Sequence, residues 1–370
     1  MTEKHPDIVV IGAGVMGLML SRELAGAGMN VTLVERARAG REASRAAGGI
    51  LSPLEPWLAP EPITTLAAWS QTRYPGIAGD LEGETGLDVE WIRSGMVVLE
   101  PERPADAEVW AAAHDLVIRN IGAEAMGDIA PEVRAAPALW LPHVAQVRNP
   151  RFMDALVNSA RAKGVRLLEG AGEASVVTAN GGTDRVAGVD TEMGRLVTDR
   201  VVITAGAWTG RVLERVGAEV PIRPVRGQMI HFKVEPGTVG HIVQHKGRYV
   251  IPRRDGVVIV GSTVEATGYD KGTTKRASEE LAAAAADMVP ALEGVPVEGH
   301  WSGLRPEAPG GVPMIGKVRQ TTGLWMCAGH FRNGITIAPA SACLTRNLVL
   351  GETPCVDPMP YDPALRLKPR

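Results

Sequence analysis

The residues best suited to chemistry in this 370-residue chain lie near its carboxyl end, in Trp301-Ser-Gly-Leu-Arg305-Pro306 and Gly329-His-Phe-Arg332-Asn333-Gly334. Arg305 precedes a proline, which biases it towards extended backbone. At the end of a strand its guanidinium could grip a carboxylate through two parallel N–H bonds. A surface ion pair is the ordinary use of a single arginine. Here Gly303, Pro306, Pro309, Gly310 and Gly311 predict a shaped loop around it, where binding residues concentrate. The second segment is a glycine-punctuated turn ahead of an apolar helical run. Pro339 fits only the first turn of a helix, so the helix is expected to start close to Gly334. Its N-terminal dipole and free N–H groups would then face the turn and favour negative charge there. Tyr249 starts a strand and could add a phenolic hydrogen bond to the same carboxylate, or simply pack. His330 and Arg332 belong to the turn itself, and His330 could equally be an ordinary packing histidine.

These groups need a layer to hold them, and the amino end supplies a nucleotide-binding pattern. Residues 7–11 are a short, continuous apolar run, as in a parallel strand buried on both faces. Gly12-Ala-Gly14-Val-Met-Gly17 follows, then a helix over 18–27 closed by Gly28, and a second apolar strand over 31–34 ending at Glu35. Gly12 would allow the tight turn, Gly14 a close approach of backbone to a pyrophosphate, and Gly17 tight helix–strand packing. The Glu35 carboxylate could accept hydrogen bonds from a ribose. This pattern indicates a dinucleotide without separating NAD from FAD. Ser44-Arg45-Ala-Ala-Gly48-Gly49-Ile50 could lay small residues against a flat ring, with Ser44 on a phosphate oxygen, or be a plain flexible loop.

Between about 52 and 145 the pattern changes to helices (64–74, 106–120) alternating with strands such as 95–100. A helix over 152–163, a strand over 165–168, a hairpin from 186–189 and 195–198, and a strand over 201–206 return to the first style. Segments 229–234, 249–252 and 257–262 read as antiparallel strands, the last two joined by Asp255-Gly256, and a helix follows over 278–288. The expected fold is α/β: a Rossmann-like nucleotide-binding domain (1–51, 146–222 and 302–352) interleaved with an antiparallel-sheet α+β substrate domain (52–145 and 223–301).

Composition narrows the partners. A formal net charge of −3, with 22% charged residues of both signs mixed along the chain, provides no whole-protein field for nucleic acid or anionic membrane. No apolar run is long enough to span a bilayer. Three cysteines (Cys327, Cys343, Cys355), an odd count without close pairs, argue against a disulfide framework or a zinc knuckle, so no metal is expected. Cys327 stands beside the Gly329 turn, where packing is its simplest role. The chain enters a strand almost at once, leaving no room for a signal peptide, and a cytoplasmic location is expected.

The chain resembles the glycine oxidase group of the D-amino-acid oxidase family of flavoproteins, from Ile8 to about Gly351. The resemblance is carried by Gly12 to Gly17, Glu35, Ala47-Gly-Gly-Ile50, Ala205-Gly-Ala-Trp208, Pro224-Val-Arg-Gly-Gln228, Tyr249-Val-Ile-Pro-Arg253, Gly303-Leu-Arg-Pro306 and Ala328-Gly-His-Phe-Arg-Asn-Gly334. It implies FAD contacts at Val15, Met16, Glu35, Arg36, Ala43 and Ser44, at Gly48, Gly49 and Ile50, and through the backbone near Glu173. It also implies contacts at His330, Phe331, Arg332, Asn333, Gly334, Ile335 and Thr336. Arg305 would pair with a substrate carboxylate, helped by Tyr249, with Arg332, Ile50 and Val264 beside the substrate. Val264 stands where sarcosine oxidases carry a lysine, so their oxygen-handling lysine is absent. No cysteine falls between Arg305 and Gly316, so non-covalent FAD is expected. The implied reaction is oxidation of glycine or another small amine (sarcosine, D-alanine, D-proline), with O2 reduced to hydrogen peroxide and a possible role in thiamine thiazole synthesis. A homotetramer is the family expectation. A D-amino-acid or secondary-amine dehydrogenase with another acceptor, a non-catalytic FAD-bearing subunit and a nicotinamide enzyme are the alternatives.

Overall fold

The computed structural model describes residues 5–179, 185–318 and 321–366. The first residues, from which the absence of a leader was expected, lie outside that set. The short apolar runs become a six-stranded sheet in the order Met314–Lys317, Leu324–Ala328, Val201–Ile203, Ile8–Ile11, Val31–Val34, Arg166–Leu168. All its pairs are parallel except the Met314–Lys317 edge. Because strand side chains alternate, Ile8, Val10, Val31 and Leu33 face the helices Val15–Gly26, Asn149–Ala162 and Ala338–Leu350, forming the largest apolar core. Val9, Ile11, Val201 and Ile203 face the other way, onto a three-stranded sheet that includes Val176 and Val189. Burial on both faces explains the unbroken apolar runs.

The second large sheet has eight strands: Gly299–Glu307, Arg223–Lys233, Val257–Gly261, Arg248–Pro252, Ile242–His245, Met96–Leu99, Ala138–Leu141 and Arg119–Ile121. Its pairs are antiparallel except Ile242–His245 with Met96–Leu99. The Asp255-Gly256 turn joins antiparallel neighbours, as the sequence predicts.

Three expectations are corrected. Arg305 does not end a strand or sit in a loop; it lies within Gly299–Glu307, opposite Val225, so the boundary drawn at 302 cuts this strand. The last helix starts at Ala338 rather than near Gly334, because residues 334–337 continue in turns after the 3-10 turn at Phe331–Asn333. Pro339 still falls in its first turn. Finally, not all of 52–145 belongs with the antiparallel sheet. The helices Glu61–Gln71 and Tyr74–Thr85 bury Ile63, Leu66, Tyr74 and Leu81 in the core of the six-stranded sheet. The helix expected over 64–74 is observed as Glu61–Gln71, and Tyr74 already opens the next helix, with Pro75 in its first turn.

Candidate active site

A cavity of ≈ 570 Å³ is lined from both large sheets. At one end stand Gly12, Gly14, Glu35, Arg36 and Trp208; at the other stand Tyr249, Arg305 and Arg332. The volume is ordinary for a small-molecule site.

The nucleotide end is built by backbone constraints. Gly12 has φ +106, and a Cβ there would sit 2.7 Å from the Thr204 carbonyl oxygen. A Cβ at Gly17 would collide with the Gly12 carbonyl, so Gly17 is a packing residue and does not itself line the cavity. Gly14 begins the first helix without any side-chain cap, and a Cβ there would meet only Ser44 Oγ at 3.3 Å. The Glu35 carboxylate is pinned at the wall by the N–H groups of Ala13 (2.9 Å) and Ala37 (3.1 Å). Ser44 Oγ accepts the Val15 N–H at 3.0 Å. A helix start at which Ser44 meets the Val15 N–H and the glycine N-cap offers no side chain of its own, together with a fixed carboxylate at the end of the second strand, fits a dinucleotide, with the remaining N–H groups for pyrophosphate and the acid for ribose.

The middle is held by interlocking bonds. The buried Arg253 donates to the carbonyls of Gly48 (2.6 Å) and Val147 (3.0 Å) and to the Gln146 side chain (2.5 Å). Burial lowers its pKa to about 10, still well charged near neutrality. Thr336 Oγ1 donates to the Ile50 carbonyl at 3.0 Å, and the Tyr74 hydroxyl donates to the Ile335 carbonyl. The helices at 61–85 therefore buttress the turn at 330–336. His330 is 3% exposed, and burial lowers its pKa to about 3, which leaves the imidazole neutral and unsuited to proton transfer near pH 7. Its Nε2 lies 3.8 Å from Cys327 Sγ, whose pKa burial pushes up to about 12; that thiol packs rather than reacts.

The far end is cationic. Arg305 donates from Nη1 to the Thr263 carbonyl at 3.0 Å and from Nη2 to Ser262 Oγ at 2.6 Å. Arg248 donates to the Ser262 carbonyl, and Arg332 Nη2 to the Gly247 carbonyl at 3.2 Å. Burial lowers the Arg332 pKa; Tyr249 works against that shift, while Arg305 and Arg248 add to it by repulsion. Among the described residues these three arginines have neutral hydrogen-bond partners and no carboxylate. Arg248 and Arg305 are half-buried and Arg332 is partly open to solvent; guanidinium groups gathered at a cavity wall without a counterion favour an anion. Tyr249 is buried beside them, with its hydroxyl 4.0 Å from Met229 Sδ.

Of the residues singled out from sequence, the cavity gathers Gly12, Gly14, Val15, Met16, Glu35, Arg36, Ala43, Ser44, Gly48, Gly49, Ile50, Glu173, Tyr249, Arg305 and the whole run from His330 to Thr336. The Glu173 N–H is directed to the Glu192 carboxylate at 3.4 Å. Val264 is a correction: it is 54% exposed and lies outside the lining, because the chain has already left the strand Val257–Gly261. Sequence reading missed Ser52, Glu55, Arg211, Met229 and Gln244 as lining residues. Strand register alone could have pointed Met229 inward; the loop residues carried no signal.

Residues 7–348 match the family described as FAD dependent oxidoreductase (DAO). The chain belongs to that family. Among curated relatives, glycine oxidase of Pseudomonas aeruginosa is 44% identical, covering 97% of this chain and 99% of the relative. Glycine oxidase of Pseudomonas putida is 42% identical, covering 98% and 99%. Among solved structures, glycine oxidase from Geobacillus kaustophilus superposes with a TM-score of 0.88 at 27% identity, covering 97% of this chain and 98% of that one. As a DAO-family FAD-dependent oxidoreductase, the protein has FAD as its cofactor, and the Gly12–Glu35 wall fits that group. No helix among the described residues is long and apolar enough to cross a membrane.

Proposed function

We propose that this FAD-dependent oxidoreductase oxidises glycine and other small amines, sarcosine and small D-amino acids among them, with oxygen as electron acceptor. The observation that carries this reading is the cationic end of the cavity, where Arg305 and Arg332 stand beside Tyr249 without a carboxylate partner among the described residues. The glycine oxidase relatives support it.

FAD would be held by Gly12, Gly14, Glu35, Ser44 and the 330–336 turn, and supplies the two-electron acceptor. Arg305 binds the substrate carboxylate with the N–H bonds that Ser262 and Thr263 leave free, and those two partners fix the plane of its guanidinium. Tyr249 adds a phenolic donor. Arg332, at the same end of the cavity, adds positive charge beside that carboxylate. Ile50 and Met229, backed by Ile251, form an apolar side next to Tyr249, which limits the room for a side chain and excludes water. Positioning, rather than a protein acid or base, is the contribution of these residues, since His330 is held neutral. The substrate gives up two electrons and becomes an imine; water hydrolyses the imine of glycine or a primary D-amino acid to the 2-oxo acid and ammonia, and that of sarcosine to the 2-oxo acid and methylamine, while O2 takes the two electrons and becomes hydrogen peroxide. A curated relative in Synechocystis, 30% identical over 94% of this chain and 52% of the relative, is the bifunctional protein ThiO/ThiG, and its matching half supports a role for the imine in thiamine thiazole synthesis. The reading includes a cytoplasmic homo-oligomer.

A peroxide-coupled screen of glycine, sarcosine, D-alanine and D-proline tests it. Peroxide with at least one of these is expected. Reduction of an artificial acceptor without peroxide would move the protein to the dehydrogenases, and no turnover of any small amine would overturn the reading.

A further inference from the structure

Residues 265–274 leave the antiparallel sheet, cross to the nucleotide layer and return, and their contacts form a closed ring. The root of this excursion is the buried Arg226, which pairs with both Glu265 and Asp270. Gln228 adds a bond from Nε2 to Glu265 Oε1 at 2.8 Å and accepts the Thr274 N–H at 2.8 Å. Asp270 therefore faces the substrate sheet. Its two sequence neighbours reach the nucleotide layer instead. Lys271 Nζ lies 3.2 Å from both carboxylate oxygens of Glu42, and Ser302 Oγ donates to the Lys271 carbonyl. The Tyr269 hydroxyl donates to the Ala207 carbonyl at 3.1 Å, its ring lies 5.8 Å from that of Trp208, and the Arg211 guanidinium sits 4.0 Å above it.

The ring closes through the nucleotide layer. Glu42 accepts Arg36 Nη2 at 2.8 Å, and the Arg36 guanidinium lies 3.8 Å from the centre of the Trp208 ring. The path Lys271–Glu42–Arg36–Trp208–Tyr269 returns to the excursion two residues from where it began. Arg36, Glu42, Ala207, Trp208 and Arg211 all line the nucleotide end of the cavity, whereas Tyr269 and Lys271 do not. The excursion thus touches the cavity wall from behind and meets no ligand itself.

We propose that residues 265–274 are a strap that sets how tightly the cofactor is held, with Tyr269 and Lys271 as positioning residues for the Arg36–Trp208–Glu42 wall. The wall is made of long side chains whose rotamers are free unless something behind them fixes them, and the entropy of fixing them would otherwise fall on cofactor binding. Rooting the strap in Arg226 ties this wall to the strand that carries Gly227, on which the Arg305 guanidinium rests. Lys271 and Glu42 are partly exposed, at 48% and 27%, so their share is screened by salt; the Tyr269 contacts with the Trp208 ring and the Ala207 carbonyl are not.

The test is release of FAD from the yellow holoenzyme on dilution, followed by recovery of free-flavin fluorescence, for wild type, Lys271→Gln and Tyr269→Ala. An exposed ion pair predicts weakening of about twofold to fivefold for Lys271→Gln at low salt, a gap that closes as salt rises. Loss of the aromatic and cation–π contacts predicts about tenfold weakening for Tyr269→Ala at every salt concentration. Thermal unfolding of each holoenzyme is recorded alongside. FAD release unchanged in both variants would overturn the proposal, and so would a lowered melting temperature with unchanged FAD release, which marks a merely structural contact.

Discussion

The guanidinium of Arg305 rests on the α-carbon of Gly227, so closely that a Cβ at 227 would fall inside it. The two residues lie on paired strands, with Arg305 opposite Val225 and Gly227 opposite Gly303. Absence of a side chain at 227 thus gives the arginine its place between Thr263 and Ser262. Gly227→Ala should displace the far end of Arg305 while leaving the strand intact, because no positive φ is required at 227. A rise in KM for glycine of about tenfold or more is expected, with little change in melting temperature. Wild-type KM in this variant would show that Arg305 has no fixed role.

Arg305 itself is open to two graded substitutions. Arg305→Ala should remove on the order of 2 to 5 kcal/mol of carboxylate binding, seen as a large loss in kcat/KM with flavin retained. Arg305→Lys keeps the charge but loses the planar fork, so it should recover only part of that loss. Steady-state kinetics with glycine checks both, and equal activity in the alanine and lysine variants would reduce the arginine to a point charge.

The buried His330 links stability to pH. Burial lowers its folded pKa to about 3, whereas the ordinary value is 6.5. A base whose folded pKa is depressed contributes no penalty above the unfolded value. As pH falls from 6.5 towards 3, the unfolded chain takes up a proton that the folded chain refuses, and stability drops by about 1.4 kcal/mol per pH unit from this group. His330→Gln should flatten part of the acid-side fall in melting temperature between pH 6 and 4. An identical slope in wild type and variant would mean that His330 is protonated or exposed in the folded protein.

Tyr74 connects a helix far away in sequence to the cofactor turn through its hydroxyl on the Ile335 carbonyl. Tyr74→Phe leaves a buried carbonyl without its donor, at a cost of about 1 to 3 kcal/mol. Chemical denaturation should show that loss, and FAD should leave the variant faster on dilution. Stability loss without faster release would separate the helix from the turn.

Much of the nucleotide layer was legible in the sequence because its signals are local. Continuous β-branched runs, Gly12 and Gly14 at their spacing, and Glu35 closing the second strand need no knowledge of distant residues. The helices at 61–85 were assigned to the wrong layer because their apolar faces do not record which sheet they meet. Arg305 was found, but as a loop residue; Pro306 and the following glycines suggested a break, and the long pairing with Arg223–Lys233 overrode them. Val264 was placed by resemblance to a position beside the substrate, and the turn after Gly261 carries it outside. The strap of 265–274 was invisible, since its ring joins residues more than two hundred positions apart, such as Lys271 and Glu42.

The most direct test of the account is anaerobic addition of glycine to the yellow holoenzyme, following the visible flavin absorbance in wild type and Arg305→Ala. Bleaching of the wild type at modest glycine, with the variant bleaching only at far higher concentration, is the predicted result. Failure of glycine, sarcosine, D-alanine and D-proline alike to bleach the wild type, or bleaching of both proteins at the same concentration, would contradict it.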